Sequence, residues 1–168
     1  GSRIEVGDQV VALASSGLHT NGFSLARRAL ADHDFHAHHE ELGDSLGNAL
    51  LAPHRAYLNE VMAIRKVADI KGLVHVTGGG LVENPPRVLP AGTAMKFDRS
   101  SWTFPPLFKM IQDAGGVEDR EMCRTFNVGL GMLIVVPAGT AQTVIDAVGE
   151  GFVVGEIVER QGDEAVIL

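Results

Sequence analysis

The glycines of this chain are clustered, and the clusters follow short apolar runs. "QVVALA" (residues 9–14) leads into "SSGLHTNG", and "GLVHV" (residues 72–76) leads into "TGGG". A third polar-glycine segment, "RTFNVGLG", runs into "MLIVV". Glycine reaches positive φ and allows close backbone approach, but it costs conformational entropy when it is ordered. Three consecutive glycines, Gly78–Gly80, exceed what one tight turn needs. The chain must therefore fold into strands whose ends turn sharply, with backbone left bare at those ends.

The apolar pattern fills in the elements between the turns. Gln9–Ala14 is apolar and β-branched enough for a buried strand. "FSLARRAL" reads as a helix with Phe23, Ala26 and Leu30 on one face and Asn21 as its cap. Residues 31–44 are polar and aperiodic, as an exposed loop would be. Residues 54–69 are helical in pattern, with Tyr57, Val61, Ile64 and Ala68 recurring every three or four positions. "GLVHV" is a short strand, and the Asn84-Pro85-Pro86 break forbids a long helix after it. "AMKF" reads as a strand. "PPLFKMIQDAG" reads as a helix with proline in its first turn and glycine at its end. "EDREMCRTF" predicts a short helix, "GMLIVVP" the clearest buried strand, "TAQTVIDAVGEG" a helix, and "FVVGEIV" and "EAVIL" a closing pair of strands. The order β-α-α-β-β-α-α-β-α-β-β predicts an α+β fold: a single mixed β-sheet with helices packed on it. With no repeat or linker, one domain is expected over residues 1–168.

Composition narrows the partners. The formal charge is −7 and the basic residues are scattered, so nucleic acid is not an expected partner. Cys123 is the single cysteine, which excludes an intramolecular disulfide and a cysteine-based zinc site and suits a reducing compartment. No apolar run approaches the ~18 residues of a membrane span. No signal peptide is expected, and the cytoplasm is the expected location.

Two loops carry the candidate chemistry. "SSGLHTNG" leaves a strand and opens a helix, with Ser15, Ser16, Thr20 and Asn21 as side-chain donors. Such a turn suits an anion, although its hydroxyls could equally satisfy local backbone. "VHVTGGG" repeats the architecture and matches neither G-x-x-x-x-G-K-[ST] nor G-x-G-x-x-G. Of the seven histidines, His33, His36, His38 and His39 lie with Asp34 and Glu40 in a solvated loop with no ligand register, so no metal site is expected. His54 reads as structural. His19 and His75 stand beside the two glycine-hydroxyl loops, where an imidazole can move a proton or neutralise a phosphate. Strand alternation predicts that His75 and Thr77 share a face and that Val76 points into the core.

"SSGLHTNGFSLAR", "LLAPHRAY", "KGLVHVTGGGLVENPPRVLP", "EMCRTFNVGLGM" and "VVGEI" together resemble the aminoimidazole ribonucleotide synthetase family, in order and through nearly the whole chain. His54 stands where the family commonly has Thr, and Cys123 where it commonly has Tyr. The resemblance is to the C-terminal domain alone. It implies an N-terminal domain of the same protein that would bind ATP and Mg2+ and build a homodimer, and no acidic cluster suited to magnesium occurs here. It also implies a ligase of purine biosynthesis acting on a phosphoribosyl substrate, formylglycinamidine ribonucleotide, with ATP activating the formyl amide oxygen. On that reading His75 and His19 are the catalytic candidates. Ser16, Gly17, Asn21, Thr77, Gly78, Gly79, Gly80 and Asn84 would bind substrate or phosphate. This domain alone is expected to bind no ATP and to be inactive. The alternatives are a related ATP-dependent enzyme, such as formylglycinamidine ribonucleotide synthetase or selenophosphate synthetase, or a stand-alone module that binds a phosphorylated metabolite.

Overall fold

A computed structural model describes all 168 residues. Its centre is a six-stranded sheet in the order β4-β6-β1-β7-β5-β8. The strands are β1 (Gln9–Ala14), β4 (Gly72–His75), β5 (Thr93–Phe97), β6 (Leu130–Val136), β7 (Phe152–Glu159) and β8 (Val166–Ile167). All neighbours are antiparallel except β5 and β8, which run parallel. A two-residue hairpin, β2 (His38–His39) with β3 (Asp44–Ser45), stands apart.

The central strands are apolar at nearly every position because both faces of the sheet are covered. Val10 and Ala12 of β1, with Leu133 and Val135 of β6, belong to a 27-residue core. Val11 and Leu13, with Ile134 and Val136, belong to a second, smaller core on the opposite face. Helices α1 (Phe23–Ala29), α5 (Pro106–Gly115) and α6 (Asp119–Thr125) send Ala26, Phe108, Ile111 and Met122 into the larger core. Helices α3 (Leu58–Ile64) and α7 (Ala141–Val148) send Ile64 and Val144 into the smaller one. The remaining helices, α2 (Leu46–Leu50) and α4 (Gly80–Glu83), are single turns. The α+β class and the single mixed sheet are thus as the apolar pattern predicts. No helix is long and apolar enough to cross a membrane.

Four local expectations need correction. Asn21 does not cap α1; Gly22 does, at φ 80 and with no side-chain hydrogen bond. The 54–69 pattern yields helix only over Leu58–Ile64, because the chain after Pro53 stays irregular until Tyr57. The polar 31–44 stretch contributes to the β2–β3 hairpin. The two closing strands do not pair with each other, since β5 lies between them.

Candidate active site

Both glycine-hydroxyl turns leave the same region of the sheet. β1 ends at Ala14 and β4 at His75, each hydrogen-bonded to β6, on whose register Ala14 faces Leu130 and His75 faces Met132. The turns then meet: a methyl group placed on Gly78 would lie 3.2 Å from Asn21 Oδ1. The β4 alternation runs on past its end. Val74 and Val76 are buried, whereas Leu73 and His75 are exposed.

The second turn is shaped by one buried amide. Asn84 is 2% exposed. Its Oδ1 accepts from Thr77 N at 2.6 Å and from Thr77 Oγ1 at 3.2 Å, and its Nδ2 donates to Gly78 O at 2.9 Å. Gly79 at φ 98 and Gly80 at φ 55 carry the chain into α4. A side chain on Gly80 would overlap the carbonyl oxygens of Cys123 and Phe126. The N–H groups of Gly78 and Gly79 have no acceptor within the protein, so both remain available as donors.

The first turn is held from two sides. Asn127 accepts from Ser15 Oγ at 2.8 Å and donates to Gly17 O at 2.9 Å. Ser16 Oγ donates to Pro53 O at 2.6 Å, which ties the turn to the segment before α3. Ser16 N–H donates to His19 Nε2 at 3.1 Å. His19 itself sits at φ 57, a conformation uncommon for a residue with a side chain. Because Nε2 accepts, the proton of the neutral ring lies on Nδ1, which is buried and has no partner.

The two turns bring three imidazoles together. His54 stacks on His19, with centroids 4.0 Å apart and planes at 13°. His54 Nε2 lies 3.0 Å from His75 Nε2. Tyr57 flanks the group, with its hydroxyl donating to Ala14 O at 2.8 Å. Arg55 reaches the same carbonyl at 3.1 Å and pairs with Glu60 and Glu150. These contacts hold residues 54–57 against the end of β1. Burial, with the neighbouring His54, His75 and Arg55 adding to it, lowers the His19 pKa to about 4. Burial and His54 also lower that of His75. Burial pushes the Tyr57 hydroxyl up to about 12. His19 and His75 are therefore neutral near pH 7.

Ser16, Gly17, His19 and Asn21 lie on the first turn and Thr77, Gly78 and Gly79 on the second, while His75 ends β4, Gly80 opens α4 and Asn84 follows α4. Within that set the side chains of Asn84, Ser16 and His75 each meet another protein atom, and His75 and Gly78 are exposed. Sequence reasoning missed His54, Arg55, Tyr57 and Asn127. His54 carried no local signal, because its partners are distant in sequence. Arg55 and Tyr57 looked like the first turn of a helix.

A protein-family model, "AIR synthase related protein, C-terminal domain", matches residues 5–167. The chain belongs to this family. Two curated relatives, both named phosphoribosylformylglycinamidine cyclo-ligase, match along its length. The one from Syntrophotalea carbinolica is 41% identical, covering 100% of this chain and 51% of the relative. The one from Neisseria meningitidis is 45% identical, covering 98% and 49%. The chain thus spans about half the length of the curated relatives it matches. Among solved structures, thiamine-monophosphate kinase from Stenotrophomonas maltophilia superposes with a TM-score of 0.62 over 98% of this chain and 51% of that one, at 16% identity. At that identity the likeness shows a shared fold alone.

Proposed function

We propose that this chain is the substrate-facing half of an ATP-dependent phosphoribosylformylglycinamidine cyclo-ligase, which converts formylglycinamidine ribonucleotide into aminoimidazole ribonucleotide, ADP and phosphate. The observation that carries the reading is the meeting of the two glycine turns beside neutral His19 and His75, in a chain 41–45% identical to proteins of that name. ATP supplies the phosphoryl group that turns the formyl amide oxygen into a leaving group. ATP and Mg2+ would be held by the other half of the protein. The donors of this chain face the substrate. The Gly78 and Gly79 N–H groups suit a phosphate or an oxyanion, as bare backbone donors in a turn generally do. His75 is exposed and takes the proton released as the amidine nitrogen attacks. Buried His19 stays uncharged and lends its Nδ1–H to the same region.

The partner would be the absent half of the same protein. Leu51, Leu58 and Met62, flanking the His54 segment, are 77%, 70% and 46% exposed, an apolar surface suited to covering by another domain. The test is to co-express this chain with the N-terminal half of the Neisseria meningitidis relative. ATP-dependent loss of formylglycinamidine ribonucleotide should require both halves. Turnover by this chain alone would refute the division of labour. A well-folded, associated pair with no turnover would refute the substrate assignment.

A further inference from the structure

One ring nitrogen from each of His19, His54 and His75 lies within 4.8 Å of the others. The three come from the β1 turn, the segment before α3 and the end of β4. We propose that these three imidazoles form a binding site for a divalent transition cation of the zinc class, with a fourth position open to solvent. The donor set is all nitrogen, without carboxylate or carbonyl. Such a set suits zinc, copper or nickel and disfavours magnesium, which takes oxygen ligands.

The geometry needs a small closure. Zinc bonds imidazole nitrogen at ~2.0–2.1 Å, so the nitrogens of a tetrahedral site stand ~3.3 Å apart. His54 and His75 already present Nε2 atoms at 3.0 Å. A cation between them takes the place of their shared proton. In the stacked arrangement His54 and His19 lie nearly parallel, so their lone pairs do not converge. His54 is exposed, and binding requires its ring to turn out of the stack. His19 offers Nδ1, the one ring nitrogen of the three that is buried and without a partner. For Nδ1 to bind, the ring proton moves to Nε2 and Ser16 N–H turns away. Ser16 is exposed, and the adjustment works against the Ser16 Oγ–Pro53 O and Asn127 Nδ2–Gly17 O bonds that hold the turn. Arg55 disfavours positive charge at His19, and its pairing with Glu60 and Glu150 offsets part of that repulsion.

A bound cation would occupy the His19 and His75 nitrogens that the proposed catalysis uses, so the site is tested by binding alone, without turnover. The tag-free chain is stripped with chelator, and Zn2+ is titrated against a chromophoric competitor near pH 7.5. One equivalent should bind, and Co2+ in its place should give the intense visible bands of tetrahedral coordination. His54→Ala should weaken binding by at least the ~10–100-fold that loss of even an outer-shell partner produces. The double variant His36→Ala, His38→Ala, in the other histidine-rich segment, should bind as the parent does. Should His54→Ala fold poorly, the imidazole resonances of the parent decide: Zn2+ should move those of His19, His54 and His75. Absence of binding, an octahedral Co2+ spectrum, or binding lost only with His36 and His38 would overturn the proposal.

Discussion

His54 Nε2 stands 3.0 Å from His75 Nε2, so the two rings share a proton between them: one donates and the other accepts. Besides burial, the neighbouring His54 disfavours the charged form of His75. His54→Asn should therefore raise the His75 pKa toward its ordinary value, stopping short of it because burial, the larger cause of its depression, remains. Imidazole resonances followed from pH 5 to 8 in the presence of chelator read this directly. An unchanged His75 titration would mean that the two rings do not meet in solution.

His19 sets an acid limit on stability. Its folded pKa is lowered from 6.5 to about 4. Above pH ~6.5 neither folded nor unfolded chain binds the proton, and this group adds no pH dependence. Between pH ~6.5 and ~4 only the unfolded chain binds it, so stability falls as pH falls, and below ~4 the loss levels off. The ceiling is about 3 kcal/mol at 1.36 kcal/mol per pKa unit. His19→Asn, a residue that tolerates positive φ, should flatten this part of the urea-midpoint profile. A profile equally steep in parent and variant would assign the acid sensitivity elsewhere.

Asn84 should matter more to folding than to ligand contact. Asn84→Ala removes the acceptor of Thr77 N and the donor to Gly78 O in a part-buried turn. Leaving buried groups unpaired costs ~1–3 kcal/mol each, so a loss of about 3 kcal/mol is expected. In a chain of this size that lowers Tm by roughly 6–12 °C. Asn84→Asp keeps the acceptor and loses the donor, and should fall between. Calorimetry on the three proteins checks the order.

The architecture was readable because the sheet is covered on both faces. Strands such as Leu130–Val136 had to be apolar throughout, and the glycines marked where they ended. The limits of the reading have physical causes too. Tyr57 shares the helical period of Val61 and Ile64, yet its hydroxyl is engaged with Ala14, and that contact lies outside any helix. His54 looked inert because its meaning lies in His19 and His75, which only the fold brings beside it. Asn21 resembled a cap because Gly22, the residue that makes the turn, leaves no side-chain signature.

Gly80 can be separated from glycine positions that need only a positive φ. Gly139 has φ 77 with open space around it, whereas Gly80 has φ 55 and faces the Cys123 and Phe126 carbonyls. Gly139→Ala should cost the conformational strain alone, about 1 kcal/mol. Gly80→Ala adds a backbone clash and should cost several times more, or prevent folding. Urea midpoints for the two variants give the comparison, and equal costs would mean that α4 and α6 part without penalty.

His75→Asn, in the reconstituted pair of halves, distinguishes a proton acceptor from a strand-end fixture. Asparagine keeps hydrogen-bonding capacity and similar bulk but cannot take a proton at neutral pH. Because His75 is exposed, its substitution should change Tm little. If it accepts the proton of the attacking nitrogen, kcat should fall on the order of 10²–10⁴-fold, the range of general acid–base contributions. KM should move far less, since the Gly78 and Gly79 donors are untouched. A fixture would give the opposite pair of results, a lowered Tm with turnover per folded molecule intact. Both quantities come from one preparation, with the folded fraction fixed by the melt and the rates scaled to it.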